Sequence, residues 1–232
     1  AGALLKLDAR KIRYMLSYCA EQAAGLLIMH RAAEHVEKAY ATGGMPAQNG
    51  VAAAQMAAGG FTGVEDVFSG DGNFLSVFSA GPDREALVRG LGRDYEILRC
   101  SIKYWPVGAP IQAPLHVLRD LLRQHAFRAD EVEKLTVRMP DKQLEVVNNR
   151  NMSSISVQHL LAVMLLDGSL SFATAHDEAR MQDPRVQALR RNHIEAVGDA
   201  STENLRHWRC SMEVTLKDGR RFSHQTAAAK GG

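Results

Sequence analysis

The spacing of apolar residues changes near Leu98, and this change limits the folds that the chain can adopt. Before Leu98, apolar side chains recur every three or four residues, as in amphipathic helices. After it, helical segments are separated by short runs in which apolar and polar residues alternate, as in half-buried strands. We therefore predict an α+β fold, with an all-α part over residues 1–97 and an α+β part with antiparallel strands over residues 98–232.

Three helices are predicted in the first part. Asp8 can cap the first, which extends to about Gly25. The second, roughly Pro46 to Ala58, consists of small residues between two glycine pairs, so neighbouring elements can approach it closely. Asp83 is a suitable N-cap for the third, which Gly90 ends.

The second part alternates helices and strands. Pro140 ends the first predicted strand, and Asp218-Gly219 is a two-residue turn that favours a hairpin between the last two. Asp183 caps the last helix. The predicted elements are helices from Pro114 to His125, from Ser153 to Leu166 and from Pro184 to about Val197, and strands at Leu135–Met139, at Met212–Leu216 and from Phe222 onward.

Charge and cysteine content exclude several classes of protein. The 28 basic and 26 acidic residues are well mixed and give a net charge of +2, which argues against a nucleic-acid or membrane surface. Cys19, Cys100 and Cys210 are too widely spaced for a zinc knuckle and indicate reduced, mostly buried thiols in a cytoplasmic protein. The N-terminal residues do not indicate a signal peptide.

Common catalytic and ligand-binding motifs are missing from the sequence. The glycine-rich segment 43–50 lacks the Gly-Lys-Ser/Thr ending of a phosphate loop, and no Gly-x-Ser-x-Gly motif occurs. His30 and His35 are five residues apart, which does not place them on one helical face as a metal pair requires. We therefore predict no metal site.

Five segments resemble the MmgE/PrpD family, which includes 2-methylcitrate dehydratase, cis-aconitate decarboxylase and iminodisuccinate epimerase. The first is a lysine followed by a glycine-rich turn and an alanine-rich helix that ends in Gly-Phe-Thr-Gly. In chain order the segments are Lys38 to Gly63, Ile102–Pro106, Leu135–Pro140, Met164–Gly168 and Val214–Arg220. Together they extend over nearly the whole sequence. The resemblance implies a large helical domain, to which residues 1–97 belong, and a smaller α+β lid over residues 98–232, with the active site between them.

The resemblance also implies site residues. Lys38 matches a family lysine that contacts a substrate carboxylate, and a compact ammonium with three donors suits that role. The alternative is a solvated helix lysine paired with Glu34, four residues earlier. Gly43 and Gly44 match the family's glycine-rich turn and are predicted to bind substrate.

Lys103 and His159 are the other predicted catalytic residues. Lys103 matches a second family lysine, with Tyr104 beside it as a predicted substrate-binding residue; the alternative is a surface lysine at a domain hinge. Val107 and the two residues after it stand where some members carry a histidine or cysteine. His159 occupies a position where several members have a tyrosine, and an imidazole there can donate a hydrogen bond or move a proton. The alternative is a hydrogen-bonded structural histidine.

The resemblance implies a lyase that acts on a small di- or tricarboxylate without a metal or organic cofactor. Epimerisation, decarboxylation and a non-catalytic role as an oligomerisation partner remain open, and a homodimer is expected. Family members are about twice as long, and their aspartate and histidine base candidates lie upstream of the position of Ala1. We therefore expect the chain to be a fragment that is inactive alone.

Overall fold

A computed structural model describes residues 1–24, 26, 39–200 and 209–227, and the chain divides into two compact units, residues 1–95 and 96–232. The regular elements in the described part of the first unit are all helical, and the second unit combines helices with a four-stranded sheet. The predicted α+β fold is confirmed. The assignment of residues 1–97 and 98–232 as domains stays a prediction.

The first unit is built on two packed helices. They are α1 (Ala9–Glu21) and α2 (Met45–Ala58), and the shorter α3 (Phe74–Phe78) follows. As predicted, the Asp8 carboxylate caps α1 by accepting a hydrogen bond from the Lys11 amide at 2.8 Å. The helix ends four residues earlier than predicted. Three alanines of α2 are fully buried, so the small-residue helix packs through methyl groups: Ala53, Ala54 and Ala57.

The helix predicted after Asp83 is wrong. Only one 3₁₀ turn forms there, Arg84–Leu87, and the Asp83 side chain does not cap it. The carboxylate instead binds the Arg89 guanidinium at 2.7 Å. Apolar residues in this segment, including Leu91, are exposed within the structure. A longer helix would therefore gain little packing energy, which supplies most helical stability.

The second unit contains a mixed sheet with strand order β2-β1-β3-β4. The strands are β1 (Val132–Met139), β2 (Ile194–Gly198), β3 (Cys210–Leu216) and β4 (Arg221–Thr226). β3 runs antiparallel to β1 and to β4, and the turn between β3 and β4 contains Asp218-Gly219, with Gly219 at φ +88°. The predicted hairpin is confirmed.

Helices cover one face of this sheet. They are α4 (Gln112–His125), α5 (Asp141–Val147), α6 (Val157–Asp167), α7 (Phe172–Ala175) and α8 (Pro184–Asn192). Alternate residues of β1 enter the core that α4 and α6 share, whereas Lys134 and Arg138 are exposed on the opposite face. This alternation is the expected pattern for a sheet with one buried face.

The predicted extent of the last helix is wrong. Asp183 caps α8 as predicted, but the helix ends at Asn192 and Ile194–Gly198 forms β2 instead. β2 pairs in parallel with β1, with Leu135 opposite Ile194. Because the ladder satisfies the backbone of residues 194–198 and Ile194 enters the core, strand pairing outweighs continuation of the helix. The sheet is therefore mixed rather than purely antiparallel.

Within the described residues, none of the helices has the length and apolar character needed to cross a membrane.

Candidate functional site

The predicted site residues of the first unit lie at the start of α2 or before it. Lys38 lies outside the described residues. Gly43 and Gly44 are the last two residues of a π-helical turn, Tyr40–Gly44, that leads into α2. A Cβ atom at Gly44 would lie only 2.9 Å from Cδ2 of Tyr40, whereas at Gly43 it would meet nothing within 4 Å. The Tyr40 ring therefore explains the glycine at position 44 but not the one at 43.

Lys103 lies in an irregular segment near the start of the second unit. Its side chain is exposed and has no hydrogen-bond or ion-pair partner among the described residues. Its neighbour Tyr104 is 60% exposed, whereas Trp105 is buried. The segment thus presents a cation and a phenol to solvent while the indole anchors it in the core.

Gln112, the first residue of α4, holds this segment in place. Its side-chain oxygen accepts hydrogen bonds from the Tyr104 amide at 3.0 Å and the Trp105 amide at 3.1 Å. Its side-chain nitrogen donates to the Trp105 carbonyl at 2.9 Å. Because Gln112 and Trp105 are buried, the bonds to Trp105 satisfy backbone groups that are shielded from water. They fix the backbone beside Lys103.

Arg119, two turns further along α4, lies against both aromatic rings. Its guanidinium carbon is 5.3 Å from the centroid of Tyr104 and 5.5 Å from that of Trp105. The two rings meet edge to face at 4.7 Å. These distances allow cation–π attraction to both rings, and it is strengthened because only 13% of the Arg119 side chain is exposed.

An aspartate and two histidines complete the surroundings of Arg119. Asp120 accepts hydrogen bonds from the Arg119 guanidinium at 3.2 and 3.3 Å, through Oδ1. Its other oxygen lies 3.3 Å from Nε2 of His116 and 3.8 Å from Nε2 of His224, which belongs to β4. The cluster joins one face of α4 to the edge strand of the sheet. It contains one guanidinium, one carboxylate and two imidazoles.

The sequence predictions did not include this cluster. Its local signal is the recurrence of Gln112, His116 and Arg119 at intervals of four and three, which places them on one face of a helix that also carries leucines. The same spacing is common among solvated helix residues. The signal becomes specific only when Tyr104, Trp105 and His224 are known to pack against that face.

His159 lies in α6 and is completely buried. Neither of its ring nitrogens has a hydrogen-bond partner among the described residues, and the same holds for the hydroxyl of Ser156, one turn earlier. Burial, followed by the positive charge of Arg190, lowers the pKa of His159 from 6.5 to about 4. The imidazole is therefore neutral near pH 7.

Within the second unit, the predicted site residues belong to different elements and differ in exposure. Lys103 and Tyr104 are adjacent and exposed, and His159 is buried in a different element. Its catalytic role stays a prediction, because a group that no solvent reaches in this arrangement can exchange a proton only through a buried partner or after local opening. In the described part of the chain, no group of three or more His, Cys, Asp or Glu side chains is arranged to hold a metal ion.

Comparison with known families gives two matches in chain order. Residues 1–87 match the family model of the MmgE/PrpD N-terminal domain, and residues 105–232 match that of the MmgE/PrpD C-terminal domain. Together they cover most of the sequence. No curated protein matches the chain.

Proposed function

The chain belongs to the MmgE/PrpD family, and from this membership we propose that it acts as a lyase on a small di- or tricarboxylate, in the manner of 2-methylcitrate dehydratase. The observation that carries the proposal is the match of both domain types in their order along one chain. The exposed Lys103 beside Tyr104 supports it, because a substrate with several carboxylates needs cations and donors that it can reach.

The proposed reaction removes water from two adjacent carbons. A base takes the proton from the carbon beside a carboxylate, the electron pair forms the alkene, and hydroxide leaves the neighbouring carbon with a proton from a general acid. Negative charge builds up on the carboxylate during the first step, so nearby cations lower the barrier.

We assign the roles in this reaction as follows. Lys38 and Lys103 supply positive charge to the carboxylates. Tyr104 donates a hydrogen bond, and Gly43 and Gly44 let the substrate approach the backbone closely. His159 is the proposed acid or base. These roles rest on the family resemblance and on the exposure of Lys103 and Tyr104.

Epimerase and decarboxylase activities of the same family are the alternatives. Epimerisation shares the proton abstraction with the proposed reaction, and decarboxylation shares the need to stabilise a carbanion. A different class of function is a non-catalytic one, in which the chain is an oligomerisation partner, in a homodimer or with an intact enzyme. The complete burial of His159 favours this second candidate, because it removes a proposed proton donor from solvent.

Proton NMR in deuterated water separates these possibilities. The protein at its natural length is incubated with 2-methylcitrate, citrate, cis-aconitate and iminodisuccinate. A new alkene signal from 2-methylcitrate or citrate identifies a dehydratase, a product that has lost carbon dioxide identifies a decarboxylase, and exchange of a C–H for deuterium without a new product class identifies an epimerase. If the folded protein converts none of the four compounds, the lyase proposal is overturned.

A matched pair of variants tests the role of Lys103. We expect Lys103→Met to lower kcat/KM about 100-fold, the size of effect seen when one group that stabilises transition-state charge is removed. Lys134 of β1 is also exposed, and it pairs with Glu195 on the outer face of the sheet. Lys134→Met should leave kcat/KM unchanged, and equal losses in both variants would contradict the assignment.

A further inference from the structure

A cleft of about 940 Å³ opens in the second unit beside Tyr104. Its walls come from the Tyr104–Trp105 segment, the end of α4, the end of α6 and the residues that follow each helix. A volume of this order suits a small organic ligand.

The rim of the cleft carries more positive charge than its acidic residues neutralise. Arg123, Arg128 and Arg185 line it and are exposed. Arg128 pairs with Asp130 at 3.2 Å, and Arg185 pairs with Asp183 at 3.3 Å.

Arg123, in the last turn of α4, differs from the other two arginines. It makes no hydrogen bond or ion pair with any residue that the structure describes. Asp167, the other acidic residue of the lining, is bound by Arg180 at 2.6 Å and is not available to it. The cleft therefore has an unpaired guanidinium, whose planar fork matches a carboxylate.

The floor of the cleft is apolar. Leu122, Leu166 and Leu170 line it, and all three are only half-buried although they pack against the core. Covering this remaining surface with an alkyl chain is favourable at roughly 25 cal/mol per Å² of apolar area. Tyr104 also lines the cleft.

We propose that this cleft binds a small amphipathic carboxylate, with the carboxylate on Arg123 and the alkyl chain over the three leucines. The cleft offers both a guanidinium and an apolar surface. A small anion without an alkyl chain would use only the first, and an uncharged alkyl chain only the second. The cleft shares Tyr104 with the proposed lyase site, and its other lining residues have no assigned role in that reaction. The inference does not rest on the proposed function.

Calorimetric titration of the full chain with octanoate, acetate and octanamide tests the proposal. We expect saturable octanoate binding at least tenfold tighter than that of acetate, which lacks the chain, and of octanamide, which lacks the charge. The indole N–H resonance of Trp105, assigned with Trp105→Phe, should shift during the octanoate titration because this residue lines the cleft.

Three variants locate the site. Arg123→Gln should weaken octanoate binding about tenfold, and Ser169→Trp should abolish it, because Ser169 is an exposed residue of the lining. Arg221→Gln is the control, since Arg221 is exposed on β4 and does not line the cleft.

Absence of octanoate binding would overturn the proposal, as would binding that Arg123→Gln and Ser169→Trp leave unchanged. Acetate binding as tight as that of octanoate would overturn the assigned ligand class. The titration measures binding rather than turnover, so its failure leaves the lyase proposal standing. Conversely, if the protein converts none of the tested substrates, the cleft proposal is unaffected.

Discussion

Nη2 of Arg119 lies 3.1 Å from Nδ1 of His116. A guanidinium N–H can only donate, so Nδ1 must accept and carry no proton. The proton of the neutral ring is then on Nε2, which faces Asp120 Oδ2 at 3.3 Å. One contact thus fixes the tautomer of His116 and, through it, the orientation of the guanidinium that lies over Tyr104 and Trp105.

The first prediction concerns this tautomer. Nitrogen-15 NMR of the neutral imidazole should show His116 protonated on Nε2 alone, because Arg119 occupies Nδ1. Arg119→Leu should remove the preference and is the matched control. A proton on Nδ1 in the unsubstituted protein would contradict the contact.

The second prediction concerns Gln112. Gln112→Ala should lower the free energy of unfolding by about 2–3 kcal/mol, because it leaves the buried backbone amide and carbonyl of Trp105 without their partner. Urea denaturation measures this loss. Gln124→Ala, at an exposed position of the same helix, should change stability by less than about 0.5 kcal/mol. Similar values for the two variants would refute the role of Gln112.

The third prediction follows from the pKa of His159, which is lowered from 6.5 to about 4 in the folded chain. Between these values the unfolded chain binds the proton and the folded chain does not, so stability rises with pH. As pH falls from about 6.5 to 4, the folded state should lose up to about 3 kcal/mol, at 1.36 kcal/mol per pKa unit.

Denaturation curves at several pH values check this dependence. His159→Leu should flatten the dependence, because the titrating group is gone. His176→Gln, at an exposed position of the same unit, should leave the dependence as it is in the unsubstituted protein. An unchanged slope in His159→Leu would show that other groups cause it.

The fourth prediction concerns the three thiols. The sequence predicted that most of them are buried, but only Cys210 is. Burial raises the pKa of Cys210 well above its ordinary value, and burial also raises that of Cys19. Cys100 is exposed and should react with a thiol reagent first, and Cys210 only on unfolding.

Mass spectrometry of partly labelled protein identifies the order. Cys100→Ser should remove the fast phase and leave the slow phases unchanged. Rapid labelling of Cys210 in the folded protein would contradict its placement in the core.

Sequence patterns predicted the parts of the fold that depend on neighbouring residues. Asp8 and Asp183 are local caps, and the hairpin at Asp218-Gly219 needs only its turn and two alternating runs. β2 was missed because only His193 separates its five residues from the end of α8. These residues form a strand by pairing with β1, which is distant in the sequence. Local propensity contains no information about that partner.

The candidate site shows the same limit. Lys103, Tyr104 and His159 were predicted from the family resemblance, which identifies positions but not burial. The exposure of Lys103 and the enclosure of His159 result from packing by residues far away in the sequence. Arg119 was missed because its role depends on ring contacts that no spacing rule describes.

The central position of β1 also affects how the protein is made. During synthesis β1 leaves the ribosome before both of its neighbours, because β2 and β3 come later in the chain. Until β2 and β3 are synthesised, the two edges of β1 are unpaired, and Leu135 and Val137 lack their cross-strand neighbours. Ribosome-bound chains that end before β3 should therefore be captured by chaperones, and release of that contact should follow synthesis of the β3–β4 hairpin.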